Sequence, residues 1–224
     1  MKKIGIFGGA FNPIHYGHLR TAEDVADMLS LDRVLFIPSG KPAFRKHGLA
    51  EARHRYQMTK TAVDDNPLFA ISGIEVKTRG RSYSADTVRK LKEEHDDYNL
   101  YFIMGIDAFI DLPFWKEPES LIKLANIVVI SRPGYSFAGL SSSPYLKKIP
   151  KKNLNELDKG VRKTFSFKMP YGQRCHLLNV TGLNISASRI RNLLMSGKDT
   201  KYLLPDSVKS YIISHKLYRQ VRES

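Results

Sequence analysis

The chain has 224 residues, enough for one large α/β domain with a real core, and its 42% hydrophobic and 26% charged composition is that of a folded globular protein. A single cysteine, Cys175, excludes an intramolecular disulfide framework and suits a reducing cytoplasm; no apolar run reaches the length of a membrane span, and the N-terminus reads straight into a strand with no signal-peptide pattern. The net charge of +14 asks for polyanionic partners, either nucleic acid or phosphorylated substrates.

Residues 1–7 read as a buried strand, short, β-branched and aromatic, ended by Gly8 and Gly9. The chain then turns through Asn12-Pro13 and restarts as a helix with His15 and His18 at its beginning. Small residues, backbone N–H groups and a helix N-terminus in one place make a seat for phosphate. Over 17–29 the apolar residues Leu19, Ala22, Ala26 and Leu29 recur at helical spacing. Residues 33–38 form a second strand stopped by Pro38. Strand, helix and strand in that succession make a βαβ unit, hence a parallel sheet with a right-handed crossover.

The alternation continues. A helix is expected over 49–63, with Tyr56, Met58, Ala62 and Val63 available for packing, and a strand over 69–76. Ser84 opens another helix with Asp86 in its first turn, where a carboxylate suits the dipole. Strands are expected at 99–104, ending at Gly105, and at 126–131, broken by Arg132-Pro133-Gly134, with a proline-started helix at 118–124. Residues 139–170 are the least regular stretch and read as an exposed insertion with one short helix. Between 145 and 174, nine basic residues stand against two acidic ones, so half of the charge excess is local. A short strand at 177–180 and helices at 186–195 and 205–216 close the chain. The expected architecture is a single domain over 1–224, a Rossmann-like, doubly wound α/β parallel sheet whose C-terminal helical part, 185–219, closes the active-site edge.

Three groups of residues carry chemistry. In the first, Gly8, Gly9, Ala10, Phe11 and Asn12 precede His15-Tyr16-Gly17-His18. Imidazoles at a helix N-terminus donate hydrogen bonds to phosphoryl oxygens without forming a covalent intermediate, which is what in-line displacement at phosphorus requires. An isolated histidine pair would read as packing at a turn; this glycine and proline punctuation favours the site. In the second, Ser186 is a good N-cap, and Ser188 and Arg191 project together from a helix whose Ile190, Leu193 and Leu194 face the core. That is a second phosphate seat. In the third, a strand ends at Gly105-Ile106-Asp107 ahead of the only tryptophan, Trp115, offering a carboxylate for ribose hydroxyls and a flat ring for stacking.

The GGxFxPxHxGH arrangement resembles the nucleotidylyltransferase superfamily, whose H-x-G-H binds ATP phosphates, and residues 185–191 resemble its ISSTxIR motif with Ala187 and Ser188 in the Ser and Thr places. The GxDxxxxLxxW spacing, Ser131-Arg132-Pro133-Gly134 and Tyr83-Ser84-Ala85-Asp86-Thr87 look like bacterial nicotinate mononucleotide adenylyltransferases. The resemblance runs from Ile4 to Arg219 and implies adenylyl transfer from ATP to nicotinate mononucleotide in NAD biosynthesis. It implies His15, His18 and Arg191 as catalytic residues. It implies Gly8, Gly9, Ala10, Phe11, His15, His18, Gly105, Asp107, Arg132, Ser186, Ser188 and Arg191 around ATP. It implies Asn12, Lys41, Ser84 and Trp115 around the mononucleotide, and Mg²⁺ carried mainly by ATP. Two departures stand out: Pro42-Ala43-Phe44-Arg45-Lys46 replaces the family's PPHK, leaving Lys41, Arg45 or Lys46 to supply the charge, and 139–170 is longer than the usual connection. The alternatives are another adenylyl or cytidylyl enzyme on the same scaffold, with nicotinamide mononucleotide or phosphopantetheine as acceptor, or a basic nucleic-acid-binding protein using residues 147–168; the residues leave nicotinate against nicotinamide open. Oligomeric state is open, a homo-oligomer included.

Overall fold

The computed structural model describes residues 1–42, 48–146 and 149–219. Its strands are β1 (Lys2–Gly9), β2 (Arg33–Pro38), β3 (Phe69–Ile71), β4 (Tyr98–Gly105), β5 (Asn126–Ile130), β6 (Thr164–Lys168) and β7 (Arg174–Leu178). Its helices are α1 (Tyr16–Leu29), α2 (Ala52–Val63), α3 (Ser84–Glu94), α4 (Ile106–Asp111), α5 (Pro118–Leu124), α6 (Lys151–Asp158), α7 (Ala187–Met195) and α8 (Asp206–Ser214). The sheet has seven strands in the order β3-β2-β1-β4-β5-β7-β6. β1 with β4, β4 with β5, and β5 with β7 are parallel, whereas β6 runs antiparallel to β7. The expected α/β sheet is therefore present, with one antiparallel edge. Among the described residues no helix is long and apolar enough to cross a membrane.

The chain packs as two compact units. The first comprises Met1–Phe7, Thr21–Val34 and Tyr83–Gly182. Its centre is the run Leu100 to Met104 on β4 and Ile127 to Val129 on β5, all buried, as parallel strands covered on both faces must be. The second comprises Gly8–Arg20, Leu35–Ser82 and Leu183–Ser224. There Phe11 packs on Phe36, and Phe36 meets Phe69 edge-on.

Several elements differ from the sequence expectation. β3 stops at Ile71 instead of running to 76, because the Ser72 hydroxyl accepts the Ile74 N–H and draws the backbone into a turn that Thr78 closes on the Ile74 carbonyl. α4, directly behind Gly105, has no counterpart in the expected elements. The 139–170 stretch is more regular than an exposed insertion. Leu140, Leu146, Leu154 and Leu157 are buried, and the Asp158 carboxylate accepts the N–H groups of Phe137 and Ala138 at 2.7 and 2.9 Å. The same stretch supplies β6, joined to β7 by a tight hairpin in which the Met169 N–H donates to the Gln173 carbonyl. Its lysines Lys151, Lys152, Lys159, Lys163 and Lys168 are exposed, and those flanking and ending β6 blunt an edge strand. Lys147 and Lys148 lie outside the described residues.

Candidate active site

The second unit holds the glycine loop. β1 ends at Gly8 and Gly9, and the backbone turns at Phe11 with φ 44°, left-handed for a non-glycine residue and costing about 1–2 kcal/mol. Burial of the Phe11 ring, edge-on to His18 at 5.2 Å, holds it there. Inside the loop lies Arg55, the largest fully buried side chain among the described residues. Its guanidinium donates to the carbonyls of Ala10 (2.8 Å), Gly40 (2.8 Å) and Ala50 (3.0 Å) and to the Ser39 hydroxyl (3.3 Å). In a trans peptide C=O and N–H point opposite ways, so drawing the Ala10 carbonyl onto Arg55 turns the Phe11 N–H away from it. Burial pushes the guanidinium pKa down, opposed by Tyr218 and Glu75, but arginine keeps its proton in proteins.

His15 and His18 stack at 3.7 Å between centroids. The His15 backbone N–H donates to His18 Nδ1 at 3.3 Å, which places the proton of the neutral His18 ring on Nε2. Gly17 fits closely between them: a Cβ there would lie 3.0 Å from His15 Nδ1 and 3.1 Å from Cε1, so the ring would have to give way. The Tyr16 N–H donates to the Leu203 carbonyl, fixing the start of α1.

The second motif comes to the first. The same Gly17 Cβ position lies 3.7 Å from the Ile185 carbonyl. Ser186 caps α7 as expected, its hydroxyl accepting the Arg189 N–H at 3.2 Å. Arg191 donates through Nη1 to the Asn12 carbonyl at 2.8 Å and through Nη2 to the Ser188 hydroxyl at 3.3 Å. A hydroxyl, a guanidinium and the glycine loop therefore share one place. The Asn12 side chain, by contrast, is engaged within the fold: Nδ2 donates to the Gly48 carbonyl at 2.9 Å, and Oδ1 accepts from the Ala50 N–H at 3.0 Å and the Tyr218 hydroxyl at 2.6 Å. Lys41 is exposed, its carbonyl accepting the Ser82 N–H. The Arg45 and Lys46 expectations lie outside the described residues.

The first unit holds the other candidates. Asp107 sits in the first turn of α4 and pairs through Oδ2 with Arg132 Nη1. Its Oδ1 is buried without a hydrogen-bond partner among the described residues, and a Cβ on Gly105 would meet it at 2.5 Å. Gly105 is thus the residue that lets this carboxylate fold back. Trp115 is half-buried, edge-on to Phe102 at 6.3 Å, and Ser84 begins α3. Between them Lys116 bridges by lying over the Tyr83 ring at 4.7 Å and donating to Asp86 at 3.0 Å; burial pushes the Asp86 carboxyl up, but its pairs with Lys116 and Arg89 together hold it below its usual range.

The cytidylyltransferase-like family model matches residues 6–193. A protein of Thermoanaerobacter named a probable nicotinate-nucleotide adenylyltransferase is 36% identical over 99% of this chain and 97% of its own length. One of the same name from Citrifermentans bemidjiense is 38% identical over 98% of this chain and 100% of its own. The chain belongs to the cytidylyltransferase-like family and, within it, to the nicotinate-nucleotide adenylyltransferases. Its class is nucleotidyltransferase. Among solved structures, Plasmodium falciparum nicotinic acid mononucleotide adenylyltransferase complexed with NaAD superposes with a TM-score of 0.71 at 22% identity, covering 97% of this chain and 98% of that one. The same enzyme complexed with APC gives 0.69. These establish the shared fold.

Two residues that hold the candidate site together escaped the sequence reading. Arg55 lies on the buried stripe of α2 with Met58, Thr59, Ala62 and Val63, at helical spacing; an arginine on an apolar stripe was the available signal. Tyr218 falls within the stretch of resemblance, which closes with His215-Lys216-Leu217-Tyr218-Arg219, but its role could not be read because its partner is 206 residues away.

Proposed function

We propose that this chain transfers the adenylyl group of ATP to nicotinate mononucleotide, giving deamido-NAD and pyrophosphate. The observation that carries the reading is Arg191, which bridges the glycine loop at the Asn12 carbonyl and Ser188 on α7. A cation held by both motifs is suited to a triphosphate whose terminal half departs. A phosphate oxygen of the mononucleotide attacks the α-phosphorus, the bond from that phosphorus to the bridging oxygen breaks, and the electron pair leaves on pyrophosphate. The glycine loop presents main-chain N–H groups of Gly9 to Phe11 to the phosphates. His18 donates from Nε2 to a phosphoryl oxygen, and His15 holds the ring that does so. Arg191 and Ser188, with the start of α7 that Ser186 caps, steady the leaving pyrophosphate. Asp107 accepts ribose hydroxyls through Oδ1, with Gly105 giving it room and Arg132 holding its other oxygen. Trp115, Ser84 and Lys41 are assigned to the mononucleotide, and Asn12 contributes by fixing the loop. ATP enters as its magnesium complex. We assign the ion to phosphate oxygens and water, as the family resemblance implies.

The test is to incubate the protein with magnesium ATP and, in turn, nicotinate mononucleotide, nicotinamide mononucleotide and phosphopantetheine, measuring pyrophosphate. Release chiefly with the first supports the reading. Release only with another acceptor, or with none, overturns it.

A further inference from the structure

We propose that Tyr218 is a positioning residue for adenylyl transfer, acting through Asn12 on the guanidinium of Arg191. The proposal rests on the assignment of Arg191 to the pyrophosphate. Tyr218 is reached through two non-glycine residues in the left-handed region, Lys216 at φ 52° and Tyr218 itself at φ 57°. Such conformations are uncommon for long or aromatic side chains and persist where surrounding contacts over-determine them. Here they bring the phenol back onto the glycine loop, where its hydroxyl donates to Asn12 Oδ1 at 2.6 Å.

The Asn12 amide is thereby gripped by three partners: the Tyr218 hydroxyl, the Ala50 N–H and the Gly48 carbonyl. A side chain so held cannot rotate, and its own carbonyl is fixed with it. That carbonyl accepts Arg191 Nη1 at 2.8 Å, while Nη2 reaches Ser188 at 3.3 Å. Because the guanidinium is a planar fork, two fixed acceptors set both its position and its plane. The Tyr218 proton is secure: burial raises the phenol pKa far above neutrality, although Arg191 and Arg55 pull the other way. The donor is therefore present throughout the working pH range. Without it Oδ1 keeps one of its two donors, the loop carbonyl relaxes, and Arg191 follows. Misplacement of a charge-stabilising group by about 1 Å costs on the order of 100-fold in rate.

The experiment is a double-mutant cycle of Tyr218→Phe and Arg191→Lys, read as kcat and KM for both substrates and as calorimetric affinity for a non-hydrolysable ATP analogue. Tyr218→Phe is expected to lower kcat about 10- to 100-fold with KM for nicotinate mononucleotide within about threefold. Added to Arg191→Lys, it is expected to have little further effect on kcat or on analogue affinity. A merely structural role would leave the two effects multiplicative. Multiplicative effects, or kcat of Tyr218→Phe within twofold of wild type, overturn the proposal. The wild-type reaction with nicotinate mononucleotide tests the functional reading separately, and the analogue affinities test the coupling without any acceptor.

Discussion

Replacing Arg55 by Leu removes a buried cation that ties the glycine loop to both segments behind it. The substitution strands the carbonyls of Ala10, Gly40 and Ala50, each of which loses a charged donor at 2.8–3.0 Å. A buried carbonyl left unsatisfied costs about 1–3 kcal/mol, and the apolar leucine recovers part of that by occupying the space. The net loss is therefore about 3 kcal/mol, which a domain with about 5–15 kcal/mol survives. At about 2–4 °C per kcal/mol for a chain of this size, Tm falls by about 6–12 °C. Because the Ala10 carbonyl is no longer drawn inward, the Phe11 N–H loses its orientation and ATP binding weakens by about tenfold or more. Arg55→Lys supplies one compact charge for three carbonyls in a fork geometry, so it falls between wild type and leucine in both measurements. Scanning calorimetry and titration with a non-hydrolysable ATP analogue check these values. A leucine variant within 2 °C of wild-type Tm, or a lysine variant indistinguishable from wild type, would refute the reasoning.

Three further outcomes are expected. His18→Ala removes the Nε2 donor and lowers kcat about 10²- to 10³-fold with an intact fold by circular dichroism; near-wild-type turnover contradicts the assignment. Gly17→Ala gains about 1 kcal/mol of helix propensity but presses on the His15 ring, so Tm changes little while kcat drops about tenfold or more; unchanged kcat means the ring pair has no role. His176 is held at about 4, below its ordinary 6.5, first by burial and then by Arg174 and Lys3. Its folded form binds a proton less readily than the unfolded chain, so its contribution is present above pH 6.5 and is lost as pH falls towards 4. Allowing for partial solvent exposure, that loss is about 1–2 kcal/mol. Urea unfolding at pH 7.5 and 5 is expected to show a steeper acid loss for wild type than for His176→Gln, and parallel losses would count against it.

The sheet was legible because parallel strands such as 99–104 and 126–130 are continuous apolar runs, and each helix between them carries a periodic face. Both candidate phosphate motifs were legible because their chemistry is local: two histidines after a glycine turn, and a capped helix with serine and arginine three apart. Their meeting is a property of the tertiary fold, seen in the Arg191 bond to Asn12 and in the approach of Gly17 to the Ile185 carbonyl. The edge strand β6 was obscured because Thr164-Phe165-Ser166-Phe167-Lys168 is half-buried and lysine-flanked, which weakens its alternation. Arg55 was missed because an arginine in a helix is read by default as solvated, and here four acceptors make its burial tolerable. Tyr218 depends on two left-handed residues near the end of the chain, which no periodicity announces.

The most direct test of adenylyl transfer follows the label. With ATP carrying ³²P at the α-position and nicotinate mononucleotide as acceptor, the account predicts that the label enters the dinucleotide product, and that label placed at the γ-position leaves in pyrophosphate. Label from the γ-position in the acceptor, or α-label retained wholly in mononucleotide, would contradict it.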